Sequence, residues 1–511
     1  MTDPLTTLKH DLYGAHARGD ADALVRRIGT SPVEAWYAVP PTELRSWLKS
    51  IDPAVRNSDV TVHSMATFLS VDSAPARGGT FDGRLRDSPV SPHAGGSDWQ
   101  HAVAAHFRAR LRGQPRAALN EIEHLEPPHR RASMLFDTSE GLNALVATQL
   151  GISQMLAGHL ADSLGSFTAA QLVPAPATLP FLHRDAMVKA ALIHALHGDH
   201  HTAASLLARA GAADRTTSWA EDGIDAHEAI ASALLASRNA AEDALSQLHA
   251  VPLPSIGELW PLYVMALYQV YARAQLYPMV VEPMAALQAA SLPRTVGDGY
   301  PGSIFELING SLALRRGDPA LATSLAVRAD AALIETRLLR AAIDLTTGRV
   351  AHAIRLTDAL RDETAPLRGL ELRRIVIAAS AHLADSRPDL CAHALAQATR
   401  LPGGLRPDEL EQVGPRLREI GVAHVTGWPE RPQDHPSVQP TSAARVTLTE
   451  RERDVLTMLA AGLSRSEMAE KLVVSANTVK SHHRSLYRKL GVSRRVDALD
   501  EAARLGLVQG A

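Results

Sequence analysis

The chain has 511 residues, of which 46% are hydrophobic, 21% charged and only 4% aromatic. That length exceeds one compact core, and an Ala- and Leu-rich hydrophobic set favours helices over strands, which prefer β-branched and aromatic side chains. A net charge of −3 gives no overall pull toward a polyanion, and the single cysteine, Cys391, excludes an intrachain disulfide and a cysteine-built zinc site.

From the N-terminus, "MTDPLTTLKHDL" lacks the basic start and apolar core of a signal peptide. Residues 1–73 read as an N-terminal helical segment, and 74–98, dense in Gly, Pro, Ser and Asp, as a flexible linker. Residues 99–423 form a helical-repeat region. Its most apolar stretch, "WPLYVMALYQVYA" (260–272), is too short for a membrane span and contains Gln269. A second linker, 424–445, carries Pro429, Pro432, Pro436 and Pro440, which forbid a continuous helix. Residues 446–511 then form a separate module. The expected setting is cytoplasmic, with no membrane partner.

Within 99–423 an apolar helical run ends repeatedly at a turn residue: Gly113, Gly158, Gly198, Gly317, Gly348 and Ser386. Five residues later a small side chain returns each time, at Ala118, Ser163, Ala203, Ala322, Ala353 and Cys391. Glycine closes a helix because it accepts the left-handed conformation, and the small residue lets the next helix pack closely. Successive anchors lie mostly 31 to 45 residues apart, with a gap after Gly198 where degenerate copies fit. This is the layout of an α-solenoid of helical hairpins, and it resembles tetratricopeptide repeats. Cys391 then fills a small-residue position and needs no redox role.

The charge is unevenly spread. Residues 445–511 carry 12 Lys+Arg against 8 Asp+Glu, whereas the rest carries 40 against 47. A basic module on an acidic body is a layout of nucleic-acid binders. Thr449 with Glu452 and Ser464 with Glu467 read as capping boxes, Ser475 as a third N-cap, and Gly462 and Gly491 as helix ends. Helices are predicted at 450–461, 465–472 and 476–490. Their apolar residues recur at helical spacing: Val455, Leu456 and Leu459, then Met468, Ala469 and Leu472, then Val479, Leu486 and Leu490. A short helix, a tight turn and a longer basic helix make a helix-turn-helix. Opposite the apolar seam of the third helix lie Asn477, Lys480, Ser481, Arg484 and Arg488. Residues 475–495 hold six Lys+Arg and no acid. A one-signed stripe repels itself and is best explained by a polyanion facing it.

The module resembles the LuxR-type helix-turn-helix. Leu448, Thr449, Arg451, Glu452, Val455 and Leu456 match its opening. Gly462, Ser464, Glu467, Ala469, Ser475, Thr478, Val479, Lys480 and His482 follow in pattern, then Lys489, Leu490, Gly491 and Val492. Two positions depart from it: Met468 replaces Ile, and His483 stands where Val or Leu faces inward, which predicts a less firmly seated third helix. The resemblance implies an all-α protein: a solenoid of hairpins followed by a four-helix LuxR-type domain. It places the third helix in the major groove of double-stranded DNA. Base-edge contacts carry over to Lys480, Ser481 and Arg484, and phosphate contacts to Ser475, Thr478 and Arg488. A last helix at about 494–505 resembles the family's dimerisation helix and implies a homodimer on DNA.

Residues 21–65, with Trp47 in "LRSWLKSIDP", look like the start of the repeat region of large ATP-binding, MalT-like regulators of the LuxR type. Those carry a P-loop; this chain has no such motif, and none of its six lysines follows a glycine. No catalytic residue, cofactor or metal site is expected. A sigma-factor-like initiation protein fits the "LGVSRR" element less well, a response regulator needs βα alternation that is absent, and a repeat scaffold without DNA readout leaves the basic stripe unexplained. "HGDHH" (197–201) falls at a repeat turn and reads as a solvated loop rather than a metal site. The expected function is a sequence-specific transcription regulator whose repeats sense a small molecule or a partner protein.

Overall fold

A computed structural model describes residues 4–70, 98–123, 142–172, 178–274, 276–429, 450–460 and 463–472, with isolated positions between 478 and 498. Every regular element among the described residues is helical, as the composition predicts. Two compact units separate: Met1–Val270 with Ser291–Pro429, and Tyr271–Ala290 with Glu430–Ala511.

The first unit is a solenoid of antiparallel hairpins, built on the turns the sequence marks. Gly113, Gly158, Gly198, Gly317 and Gly348 have φ of 72°, 87°, 85°, 77° and 80°, and Ser386 has φ of 60°. At each turn the following N–H donates to the carbonyl five residues back, as in Asp199 to His194 and Asp318 to Ala313, both at 2.9 Å. This bond caps the helix end that an ordinary side chain would leave open. Ser386 adopts the same conformation at a cost of about 1–2 kcal/mol that glycine does not bear. Asp199 and Asp318 then cap the next helix, each accepting from the backbone three residues on, Thr202 and Leu321. All six small residues five positions past a turn are wholly buried, Cys391 included.

The pattern reaches further than the six copies. Gly19, with φ of 69°, and the N-cap Asp20 make the same turn between Pro4–Ala17 and Ala21–Thr30. In the gap after Gly198, Ala220–Ala236 pairs with Ala241–Ala250, and buried Ala244 takes the small position without a left-handed residue at the turn.

The solenoid winds back on itself, so that its successive turns touch. Ser218 Oγ donates to Tyr37 O (2.9 Å), and Trp219 Nε1 to Trp36 O (2.6 Å). Asp298 accepts from Arg116 N (3.1 Å), Gly369 N donates to His197 O (2.5 Å), and Arg406 Nη1 donates to Gly198 O (3.0 Å). Arg238 meets Asp408 at 3.0 Å. These partners lie between 170 and 208 residues apart, so segments distant in the chain meet within this unit. The 197–201 stretch, expected as a solvated loop, is buried at its start, partly covered through His200 and exposed at His201. His197 is 4% exposed and Gly198 abuts Gly369. No group of residues that could hold a metal ion occurs among the described residues.

Several charges buried inside this unit are paired. Arg184 binds Glu221 (2.6 Å), Asp225 (2.7 Å) and Glu228 (2.5 Å), and Lys189 binds Asp185. Arg110 binds Glu258 at 2.7 Å and the Gln149 side chain at 2.6 Å. His227 Nε2 donates to Ile256 O at 3.0 Å, while its buried Nδ1 has no hydrogen-bond partner. Burial, aided by the Lys189 charge, lowers the His227 pKa to about 4, so the ring is neutral. Among the described residues no single helix is long and apolar enough to cross a membrane.

Candidate nucleic-acid interface

The C-terminal module begins with two helices, Glu450–Ala460 and Arg465–Leu472. Their bounds match the sequence expectation within one residue. Ser464 and Glu467 form the predicted reciprocal cap: Ser464 N donates to the Glu467 carboxylate at 2.7 Å, and Glu467 N to Ser464 Oγ at 3.4 Å. The first of these bonds is the main cause that lowers the Glu467 pKa. The first helix closes with Leu463 N donating to Met458 O five residues back, where Gly462 was expected to end it. Val492 N makes the same bond to Tyr487 O at the end of the third helix, beside the expected Gly491.

One core joins these elements. Val455, Leu456, Leu459, Met468, Val479, Leu486 and Ala498 are buried together, with Ala469, Leu472, Tyr487 and Val492 packed around them. Every inward position predicted from the helical period belongs to this set except Leu490, which lies outside the described residues. Val479, His483 and Leu486 mark the inner face of the third helix, all buried.

Three polar contacts link these elements, and sequence reasoning missed all three. The Glu452 carboxylate is buried and accepts from Ser485 Oγ at 2.7 Å, tying the first helix to the third. Its expected capping partner, Thr449, lies outside the described residues. Arg495 Nη2 donates to Leu459 O at 2.9 Å, so a residue near the chain's end satisfies a carbonyl at the end of the first helix. His483 was expected to loosen the third helix. It is buried, with Nε2 3.3 Å from Met468 Sδ, so the two departures from the family pattern meet.

Of the residues expected to contact DNA, Thr478 is helical and half-buried, one position before the core residue Val479. Ser475, Asn477, Lys480, Ser481, Arg484 and Arg488 lie outside the described residues. Residues 446–502 match the family model for bacterial regulatory proteins of the luxR family. The C-terminal module is a LuxR-type helix-turn-helix domain. The chain is also similar to the HTH-type transcriptional regulator MalT of Klebsiella pneumoniae, 42% identical over 101 residues. That similarity covers 18% of this chain and 11% of the relative, so it spans about a tenth of that protein's length. No solved structure matches the chain.

Proposed function

We propose that the chain is a sequence-specific transcription regulator that binds DNA as a homodimer through its LuxR-type module. The observation that carries this reading is the seated third helix, whose inner face is Val479, His483 and Leu486. On a helical period of 3.6 residues, positions 480, 481, 484 and 488 then fall on the side away from the core. Lys480, Ser481 and Arg484 read base edges, and Ser475, Asn477, Thr478 and Arg488 position the helix on the backbone.

Lys480→Ala and Arg484→Ala are each expected to weaken specific binding by about 1–3 kcal/mol, with relaxed discrimination at the base pairs they contact. Sequencing the DNA fragments retained by the full chain supplies the duplex for that measurement. Unchanged affinity and selectivity in both variants would remove these residues from the groove.

The repeats supply the input. The solenoid holds the ion pairs Arg110–Glu258 and Lys189–Asp185, and His227 bonded to Ile256 O, which a small molecule or a partner segment would exchange for its own contacts. Transcription from a retained promoter is expected to respond to growth conditions with the full chain and not with a chain lacking 99–423. Identical responses from both would leave the solenoid without a sensing role.

A further inference from the structure

Two neighbouring buried groups of the solenoid have hydrogen-bonding capacity that the protein leaves unused. The first is His227, 7% exposed, on the helix Ala220–Ala236. Its Nε2 lies 3.0 Å from Ile256 O and is the donor, since a carbonyl oxygen only accepts. In the neutral ring Nδ1 then carries a lone pair, and that atom is buried without a hydrogen-bond partner. The second is Lys189, 5% exposed, on the helix Phe181–Leu196. Its ammonium has three N–H donors, and Asp185, one turn earlier on the same helix, is its one partner among the described residues. The two groups sense each other: burial and then the Lys189 charge hold the His227 pKa down to about 4. Buried polar atoms without a partner are rare, because each costs about 1–3 kcal/mol.

We propose that Lys189, Asp185 and His227 form a binding site for a small zwitterion of the α-amino-acid class. The proposal rests on the reading of the solenoid as a small-molecule sensor and names the class of molecule.

Charge balance selects that class. Lys189 and Asp185 are both buried, so parting them leaves two buried ions, each costly alone. An anion that pairs with Lys189 strands Asp185, and a cation that pairs with Asp185 strands Lys189. A zwitterion partners both. Its carboxylate accepts from the Lys189 ammonium, and its own ammonium donates to Asp185. A second N–H of that ammonium donates to His227 Nδ1, the acceptor that lacks a donor. Because Lys189 and Asp185 are in direct contact, the ligand's two charges have to be adjacent, as they are on an α-carbon.

The surroundings agree with this choice. Tyr37 is buried beside the same carboxylate: burial first, and Asp185 next, hold its phenol above the ordinary value. Its ring meets Phe181 edge-on at 5.0 Å and gives the ligand's side chain an aromatic neighbour. Arg110 and Glu258, which also act on Tyr37, pair with each other at 2.7 Å. They therefore leave no net charge for a singly charged ligand to answer.

The test is isothermal titration calorimetry of the full chain with each of the standard L-amino acids. At least one is expected to bind. Its amide, which lacks the carboxylate, and its deaminated acid, which lacks the ammonium, are each expected to bind about tenfold or more weakly. His227→Gln keeps a donor for Ile256 O, is expected to fold, and removes the ring acceptor; it is expected to weaken the ligand by about tenfold. Lys189→Met removes the cation and is expected to abolish binding. No binding by any amino acid, or binding that the blocked analogues or His227→Gln leave unchanged, would overturn the site. Glycerol and glucose are the neutral controls, and binding of either with the same dependence on His227 would overturn the zwitterion class. None of these results touches the sensing role of the solenoid. That role falls instead if a chain lacking 99–423 responds to growth conditions as the full chain does.

Discussion

Replacing Arg368 with alanine is expected to destabilise the solenoid by about 3–5 kcal/mol, because it strands a buried carboxylate. Arg368 opens the helix Arg368–Ala384 and is 6% exposed. Its Nε and Nη2 grip both oxygens of Glu409 at 2.9 and 2.7 Å, while Nη1 and Nη2 donate to Pro402 O (2.5 Å) and Gly404 O (2.6 Å). Alanine removes all four bonds at once and leaves Glu409, itself 8% exposed, without its cation. The same carboxylate accepts from Arg406 N at 2.9 Å, and Arg406 reaches across to Gly198 O. Gly369, the next residue, donates to His197 O. Loss of Arg368 therefore loosens the contact between successive turns of the solenoid as well as the 402–409 segment.

Urea unfolding followed by tryptophan fluorescence reads this loss directly. The matched control is Arg361→Ala, whose pair with Asp358 is half exposed on both sides (51% and 54%). Exposed pairs contribute about 0–1 kcal/mol, so that variant is expected to unfold close to the wild type. Equal midpoints for both variants would show that the Arg368 pair is no more than a surface contact.

Much of the solenoid's local geometry was legible because it is set within a few residues. A left-handed turn residue and a small residue five positions on are constraints of one hairpin, and a periodic chain repeats them. Ser386 is the clearest case: position alone marked it as a turn, and its backbone is left-handed although it bears a side chain. The same rule missed Gly19, because Leu24, not a small residue, follows five positions later. The contacts between successive turns were illegible for a different reason. Partners such as Arg238 and Asp408, separated by 170 residues, leave no periodic trace.

Buried charge was equally hidden, since Arg184, Asp185 and Lys189 look like a solvated face when read along the chain. In the LuxR-type module the capping signals at Ser464 and Glu467 and the apolar seam were readable from spacing. Glu452 has a partner that spacing did not reveal. The sequence showed a capping pattern, whereas the fold brings Ser485, 33 residues away, to its carboxylate. Of the expected DNA contacts only Thr478 lies among the described residues, so the outward stripe rests on helical register from the buried positions beside it.

Truncating Leu486 to alanine is expected to abolish DNA binding while leaving the solenoid's stability unmoved. Leu486 is fully buried on the inner face of the third helix, in one core with Val455, Leu456, Leu459, Met468 and Val479. Such a truncation costs about 2–5 kcal/mol, from lost transfer energy and an unfilled cavity. A domain of the size of residues 446–502 has roughly 3–8 kcal/mol of total stability at the usual value per residue, so the loss takes a large part of it. The chain provides its own control. All six tryptophans, Trp36, Trp47, Trp99, Trp219, Trp260 and Trp428, precede the module, and Tyr487 is its sole aromatic residue. Tryptophan-monitored unfolding therefore reports the repeats and is blind to the module, whereas DNA affinity reports the module. Wild-type affinity in Leu486→Ala would show that DNA binding does not need this seat for the third helix. A shifted tryptophan midpoint would show that the repeats draw stability from the module, and the two units would then have to be treated as one folding system.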